Sequence, residues 1–149
     1  MTTCTAKSVA EAPVFVDTGY LVALLNKRDG LHGQAKKLAL LIEKDGRRLL
    51  TTDGVLFELA NFFASSPLRA STMGAIQKIR AASGWLVERM TEQLVERAET
   101  RYAAHADKAW SLTDCLSMES MVKHGALEAA TPDRHFTQAG FRILMKTSS

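Results

Sequence analysis

Five short apolar runs, each separated from the next by one or two stretches of helical periodicity, constrain the fold of this chain more than any other feature. They occupy residues 13–17 (PVFVD), 48–51, 85–89, 127–131 and 141–145. All are strand length, and turn formers or a carboxylate flank them, so they read as short buried strands. Helical spacing fills the intervals: 18–26, 32–44, a helix capped by Thr52 or Asp53 and running to Phe63, 67–82, 91–104, 112–124, and a short helix or turn over 132–139. Strands that alternate with helices form a parallel sheet covered on both faces. The expected fold is therefore α/β: a single domain with a central parallel sheet of about four to five strands flanked by helices. The apolar positions expected to face inward include Ala35, Leu38, Ala39, Leu41 and Ile42 in one helix, and Val55, Leu56, Leu59, Phe62 and Phe63 in another. Leu94, Val95, Ala98 and Tyr102, then Leu116, Met118 and Val122, continue the pattern.

At 149 residues, 46% hydrophobic and 23% charged, the chain suits one globular domain with a real core. No apolar stretch is long enough to span a bilayer, which leaves no membrane role. Residues 1–12 are polar, lack the apolar centre of a secretory signal, and read as a leader; 147–149 read as a tail, leaving 13–146 as the folded domain. Cys4 and Cys115 offer neither metal spacing nor a disulfide framework, which points to a reducing, cytoplasmic setting with Cys115 as a small buried hydrophobe. The net charge of +3 suits an acidic or polyanionic partner. Lys27, Arg28, Lys36, Lys37, Lys44, Arg47 and Arg48 crowd one early stretch, either as a solvated helix face or as part of an anion-binding rim.

Four carboxylates have unexpected neighbours. Asp17 ends an apolar strand; Glu58 lies inside Val55-Leu-Phe-Glu-Leu-Ala60; Asp114 heads a helix after Ser111-Leu-Thr113; Asp133 follows the fourth strand and Pro132. In a parallel sheet the strand C-termini share one edge, and ligand sites form there. Asp17 and Asp133 fall on that edge, and helices beginning there can aim Glu58 and Asp114 at it. Four carboxylates in one place repel one another and raise each other's pKa unless a cation intervenes. Hard oxygen donors favour Mg²⁺ or Mn²⁺ over zinc. Each acid also has an ordinary role open to it: Asp114 and Asp133 as helix caps, Glu58 on a helix surface, Asp17 in a turn.

The chain resembles the PIN-domain nucleases, in particular the VapC-type toxins of bacterial and archaeal toxin–antitoxin pairs. The matching stretches are Phe15-Val-Asp17-Thr-Gly-Tyr-Leu-Val-Ala-Leu-Leu25, Asp29-Gly-Leu-His32, Thr51-Thr-Asp-Gly-Val-Leu-Phe-Glu58-Leu, Ser111-Leu-Thr-Asp114 and Thr131-Pro-Asp133-Arg-His-Phe136, with Gly140 and the last strand following. The resemblance runs from about Val14 to Met145. No one motif is specific; four in order, on the right elements, are. It implies that Asp17, Glu58, Asp114 and Asp133 are catalytic metal ligands for one or two Mg²⁺ or Mn²⁺ ions. Thr18, Ser111 and Thr131 match hydroxyl positions near such sites, while Arg134 and His135 match positions that contact substrate or serve packing, as does His32. A second acid beside Asp114 is missing, which bears on how a second ion would be held.

The activity so implied is metal-dependent cleavage of RNA phosphodiesters, with a cognate antitoxin protein as partner and a homodimer as a further option. The segment 67–82 carries Leu68, Met73, Ile76 and Ile79, and with Phe62 and Phe63 it offers either a groove for a partner helix or part of the core. Two other roles use the same scaffold: a housekeeping RNA-processing nuclease, and a metal-free scaffold that binds RNA or protein. A phosphoryl-accepting domain built on Asp17 would want a second acid close to it, and Phe15-Val-Asp17-Thr-Gly has none.

Overall fold

The computed structural model describes residues 12–147; residues 1–11, including Cys4 and most of the expected leader, lie outside them. Five strands form one parallel sheet: β1 (Val14–Val16), β2 (Leu49–Thr52), β3 (Trp85–Glu88), β4 (Glu128–Ala130) and β5 (Arg142–Ile143), in the spatial order β3-β2-β1-β4-β5. Val14 pairs with Leu49 on one side of β1, and Phe15 with Ala129 on the other. The chain therefore leaves β1 outward to β2 and β3, then returns to the other side of β1 for β4 and β5. The reversal falls between β1 and β4, and in open parallel sheets the crevice beyond the strand C-termini at such a reversal is where ligands bind. Asp17 lies at the end of β1 and Thr131 at the end of β4.

Among the described residues seven helices cover the sheet: α1 (Thr18–Leu25), α2 (His32–Lys44), α3 (Asp53–Phe62), α4 (Arg69–Ala81), α5 (Glu92–Ala104), α6 (Leu112–His124) and α7 (Arg134–Gln138). Their ends follow local chemistry. Thr52, Thr91 and Ser111 cap α3, α5 and α6 by accepting a backbone N–H through their hydroxyls. Gly125, with φ of +68°, closes α6 in the left-handed conformation that glycine reaches without strain. Val14, Phe15, Val16, Leu50, Ala129 and Ala130 are completely buried, as strands covered on both faces should be.

Two packing details fix the helices around the reversal. The Phe136 ring of α7 lies 5.9 Å from that of Phe15 on β1, both rings fully buried, which anchors the segment carrying Asp133 to the central strand. Burying a side chain of this size stabilises by about 2–3 kcal/mol. Gly54 lets α3 approach α6: a Cβ there would sit 2.9 Å from Leu116 Cδ2. The helices that present Glu58 and Asp114 thus meet at a glycine.

Helical periodicity overstated burial at four positions. Leu41, Phe62, Tyr102 and Val122 are exposed. Each fits the inward pattern of its own helix, but the neighbouring element leaves it uncovered. Ile76 and Ile79 of α4 are buried in the core, whereas Met73 is exposed.

Buried charges are paired away from the reversal. Arg47 donates to Glu128 Oε1 at 2.9 Å and to the Ala12 carbonyl at 2.9 Å, at the edge where β2 and β4 begin. Asp53, only 7% exposed, meets Arg80 at 2.7 Å and Arg89 at 3.5 Å. Glu88 at the end of β3 is held by Lys123 and His124, and these partners keep its carboxyl below the usual range against the opposing effect of burial. Cys115 is buried, and burial pushes its thiol up, as expected of an inert small hydrophobe. No helix among the described residues is long and apolar enough to cross a membrane.

Candidate metal centre

Asp17 follows β1 directly and is 9% exposed. It occupies the N-cap position of α1, yet its side chain makes no capping bond. Instead its Oδ2 accepts from the Thr131 hydroxyl at 2.9 Å. Thr131 Oγ1 in turn accepts the Asp133 backbone N–H at 3.1 Å, so one buried hydroxyl ties the ends of β1 and β4 together. Gly19 contributes to this closeness: a Cβ there would touch the Pro132 ring at 3.4 Å.

Asp133 caps α7, its Oδ1 accepting the His135 N–H at 2.9 Å. Asp114 completes a capping box on α6: Ser111 Oγ accepts its N–H at 2.9 Å, and Asp114 Oδ2 accepts the Ser111 N–H at 3.0 Å. Both acids thus perform the ordinary roles open to them, and both also face the reversal. The two uses are compatible, because a carboxylate has about four acceptor sites and a cap occupies one. His135 stands between them, its Nδ1 3.0 Å from Asp114 Oδ2 and 3.4 Å from Asp133 Oδ1. Asp114, Asp133 and His135 each offer one donor atom within 4.8 Å of the others.

Glu58 reaches the group from the second turn of α3. Burial of its inner flank pushes its carboxyl up to about 7, with repulsion from Asp17, Asp114 and Asp133 adding to the rise and the Thr113 hydroxyl opposing it. Its outer flank is exposed, so solvent screens part of this repulsion. Burial also pushes Asp17 up to about 6, opposed by the Thr131 hydroxyl and helped by the charges of Asp114 and Asp133. Asp17 and Glu58 thus both feel the charges of Asp114 and Asp133, although they stand outside the tight cluster of Asp114, Asp133 and His135.

Among the described residues, no lysine or arginine lies within ion-pair distance of Asp17, Glu58, Asp114 or Asp133. The contrast with Asp53, Glu88 and Glu128, each paired with basic side chains, is direct. Next to Asp17 the Thr18 hydroxyl is buried without a hydrogen-bond partner, and such groups are uncommon unless something else satisfies them. Uncompensated carboxylates, hydroxyl oxygens and one imidazole suit a divalent cation of the Mg²⁺ or Mn²⁺ kind.

The other candidates separate. Ser111 and Thr131 position Asp114 and Asp17. Arg134 is exposed and makes no ion pair with the acids. His32 is a packing residue, its Nδ1 2.7 Å from the Ala23 carbonyl across α1 and α2. Within the basic stretch, Arg47 is spent on Glu128 at the opposite edge of the sheet. The central placement of His135 was not apparent in the sequence; its only signal was the spacing Asp133-Arg-His135 at a helix start.

Comparison with known proteins agrees with this architecture. Residues 14–142 match the model of the family described as "PIN domain". The chain is 30% identical over 128 residues to the 23S rRNA-specific endonuclease VapC20 of Mycobacterium tuberculosis, spanning 86% of this chain and 95% of that protein. The crystal structure of VapC20, described as a Sarcin-Ricin loop cleaving toxin, superposes with a TM-score of 0.76 over the same shares. VapBC2 of Rickettsia felis, solved on a promoter DNA fragment, gives 0.63 at 13% identity, covering 87% of this chain and 96% of that one. FitAcB of Neisseria gonorrhoeae gives 0.61 at 14% identity, covering 89% and 96%. The last two bear on the fold alone.

Proposed function

This chain belongs to the PIN-domain family, and from that premise we propose that it is a Mg²⁺- or Mn²⁺-dependent endoribonuclease, the toxin of a toxin–antitoxin pair, acting in the cytoplasm through one nuclease domain over residues 13–146. The observation that carries the reading is the convergence of Asp17, Glu58, Asp114 and Asp133 at the β1–β4 reversal with no lysine or arginine among the described residues to neutralise them.

These four carboxylates would hold one or two ions, and the buried, unpartnered Thr18 hydroxyl beside Asp17 supports the same reading. When bound, a divalent cation lowers the pKa of coordinated water and offsets charge on phosphate oxygens. Asp17 is kept in position by the Thr131 hydroxyl, and Asp114 by the Ser111 cap, so neither has to reorganise when the site fills. One of the four carboxylates takes the proton of the attacking water. Among the described residues no lysine or arginine pairs with these acids, so a bound cation would supply the charge that offsets the substrate phosphate.

The similarity to VapC20 makes 23S rRNA the first substrate to test, and an unpaired loop is the usual target of sequence-specific recognition in RNA. With 23S rRNA and Mg²⁺ or Mn²⁺, discrete cleavage products are expected, and EDTA should abolish them. Undiminished cutting in EDTA would remove the metal from the mechanism, and Mn²⁺ binding with no cutting of any RNA would leave only a scaffold.

For the antitoxin, the groove between α3 and α4 supports a docking place. It encloses about 640 Å³ and is lined by Ala60, Ala64, Pro67, Ala70 and the exposed Met73, among others. An amphipathic partner helix would lay spaced apolar anchors there.

A further inference from the structure

We propose that His135 is itself a metal ligand, so that the centre takes a nitrogen donor through Nδ1 and favours Mn²⁺ over Mg²⁺. This rests on the metal-dependent reading above and sharpens it.

The argument starts from spacing. With metal–donor bonds of about 2.1 Å, adjacent donors of an octahedron lie about 3 Å apart. Nδ1 of His135 is 3.0 Å from Asp114 Oδ2 and 3.4 Å from Asp133 Oδ1, close to two edges of one octahedral face. All three donor atoms fall within 4.8 Å of one another.

A hydrogen bond accounts for one of these approaches but not for both. An imidazole Nδ1 carries at most one proton, and Asp114 Oδ2 and Asp133 Oδ1 converge on it from different helices. Each of those oxygens already accepts a backbone N–H, from Ser111 and His135 respectively, so neither depends on the imidazole for a partner. The ring is held by its own backbone, because the His135 N–H is fixed by the Asp133 cap and the adjacent Phe136 is buried against Phe15. A donor fixed by its helix and facing two carboxylate oxygens, each with acceptor capacity beyond the one its cap uses, has the arrangement of a ligand set.

The chemical consequence is selectivity. Mg²⁺ prefers an oxygen shell, whereas imidazole suits transition cations, and the affinity order of divalent ions rises beyond Mg²⁺ when nitrogen replaces oxygen. Asp17 and Glu58, which feel the charges of Asp114 and Asp133, would add oxygen donors.

The test uses the full chain loaded with one equivalent of Mn²⁺ and examined by pulsed EPR, with binding measured by calorimetry. We expect nuclear modulation from a directly coordinated histidine nitrogen, altered when histidine is isotope-labelled and lost in His135→Gln. The variant should also bind Mn²⁺ about tenfold more weakly, with a smaller change for Mg²⁺. Mn²⁺ bound without nitrogen modulation, or modulation that persists in His135→Gln, overturns the proposal while leaving the four-acid site standing. Failure of Mn²⁺ to bind at all overturns both. The isotope-labelled native chain decides the matter even if the variant does not fold.

Discussion

Replacing Asp17 by asparagine should make the metal-free protein more stable while abolishing its response to metal. Asp17 is buried, and its carboxyl is pushed from 3.8 up to about 6, chiefly by burial. For an acid whose folded pKa is raised, the folded state prefers the protonated form. Stability is therefore full below the unfolded value and falls as pH rises, until the folded value is passed and the loss levels off. The interval from 3.8 to about 6 corresponds to about 3 kcal/mol against the native state at neutral pH. Asparagine carries no charge, and its amide oxygen can still accept from the Thr131 hydroxyl, so the variant avoids this cost. Urea unfolding in EDTA should show no such difference below about pH 3, then a gap in favour of Asp17→Asn widening to about 3 kcal/mol above pH 7. In melting experiments that is a rise of roughly 6–12 °C. Mn²⁺ at one thousand times its dissociation constant should invert the order, because it stabilises the native chain by about 4.1 kcal/mol and the variant much less. A variant less stable than the native chain at neutral pH in EDTA, or a difference that does not vary with pH, would refute this account of the site.

Three other perturbations probe separate parts of the structure. Asp114→Asn should reduce RNA cleavage at least about a hundredfold in single-turnover assays, a loss of several kcal/mol of transition-state stabilisation; near-native rates would make Asp114 only a capping residue. Gly54→Ala puts a methyl 2.9 Å from Leu116 Cδ2 and should cost about 1–3 kcal/mol in urea unfolding while weakening Mn²⁺ binding, since it separates the helices bearing Glu58 and Asp114; unchanged stability and metal affinity would show that α3 and α6 adjust freely. Met73→Asp should abolish pull-down of the proposed antitoxin partner with rRNA cleavage intact, as Met73 is exposed on the α3–α4 groove; retained capture would place the partner elsewhere.

The sequence was most readable where a property is local. Strand and helix positions emerged within a residue or two, because apolar period and caps such as Thr52, Thr91 and Ser111 act over three or four residues. The four acids were recognisable because each stands among apolar neighbours or at an element's end. The rest depends on partners distant in the chain. That Asp53 is buried against Arg80 and Arg89, or that Arg47 is engaged with Glu128, is decided by helix placement rather than by neighbours in sequence. The same holds for His135, which looked like a substrate-contacting or packing residue until α6 brought Asp114 beside it. Phe62 and Tyr102 show the converse: period assigns them an inward face, and only the packing reveals that nothing covers it.

The reversal between β1 and β4 also governs when activity can arise. Asp17 depends for its orientation on Thr131, 114 residues later, and β4 must lie beside β1 before the two are joined. During synthesis, β1, β2 and β3 can associate while Asp114, Thr131 and Asp133 are still to be made. Any fragment ending before β4 carries Asp17 and Glu58 on a sheet whose central strand has one unpaired side. A growing chain of this order lacks the full set of four carboxylates until nearly all of its folded part has emerged. Under the proposed RNA-cleaving activity, the order of the strands is itself a safeguard during translation.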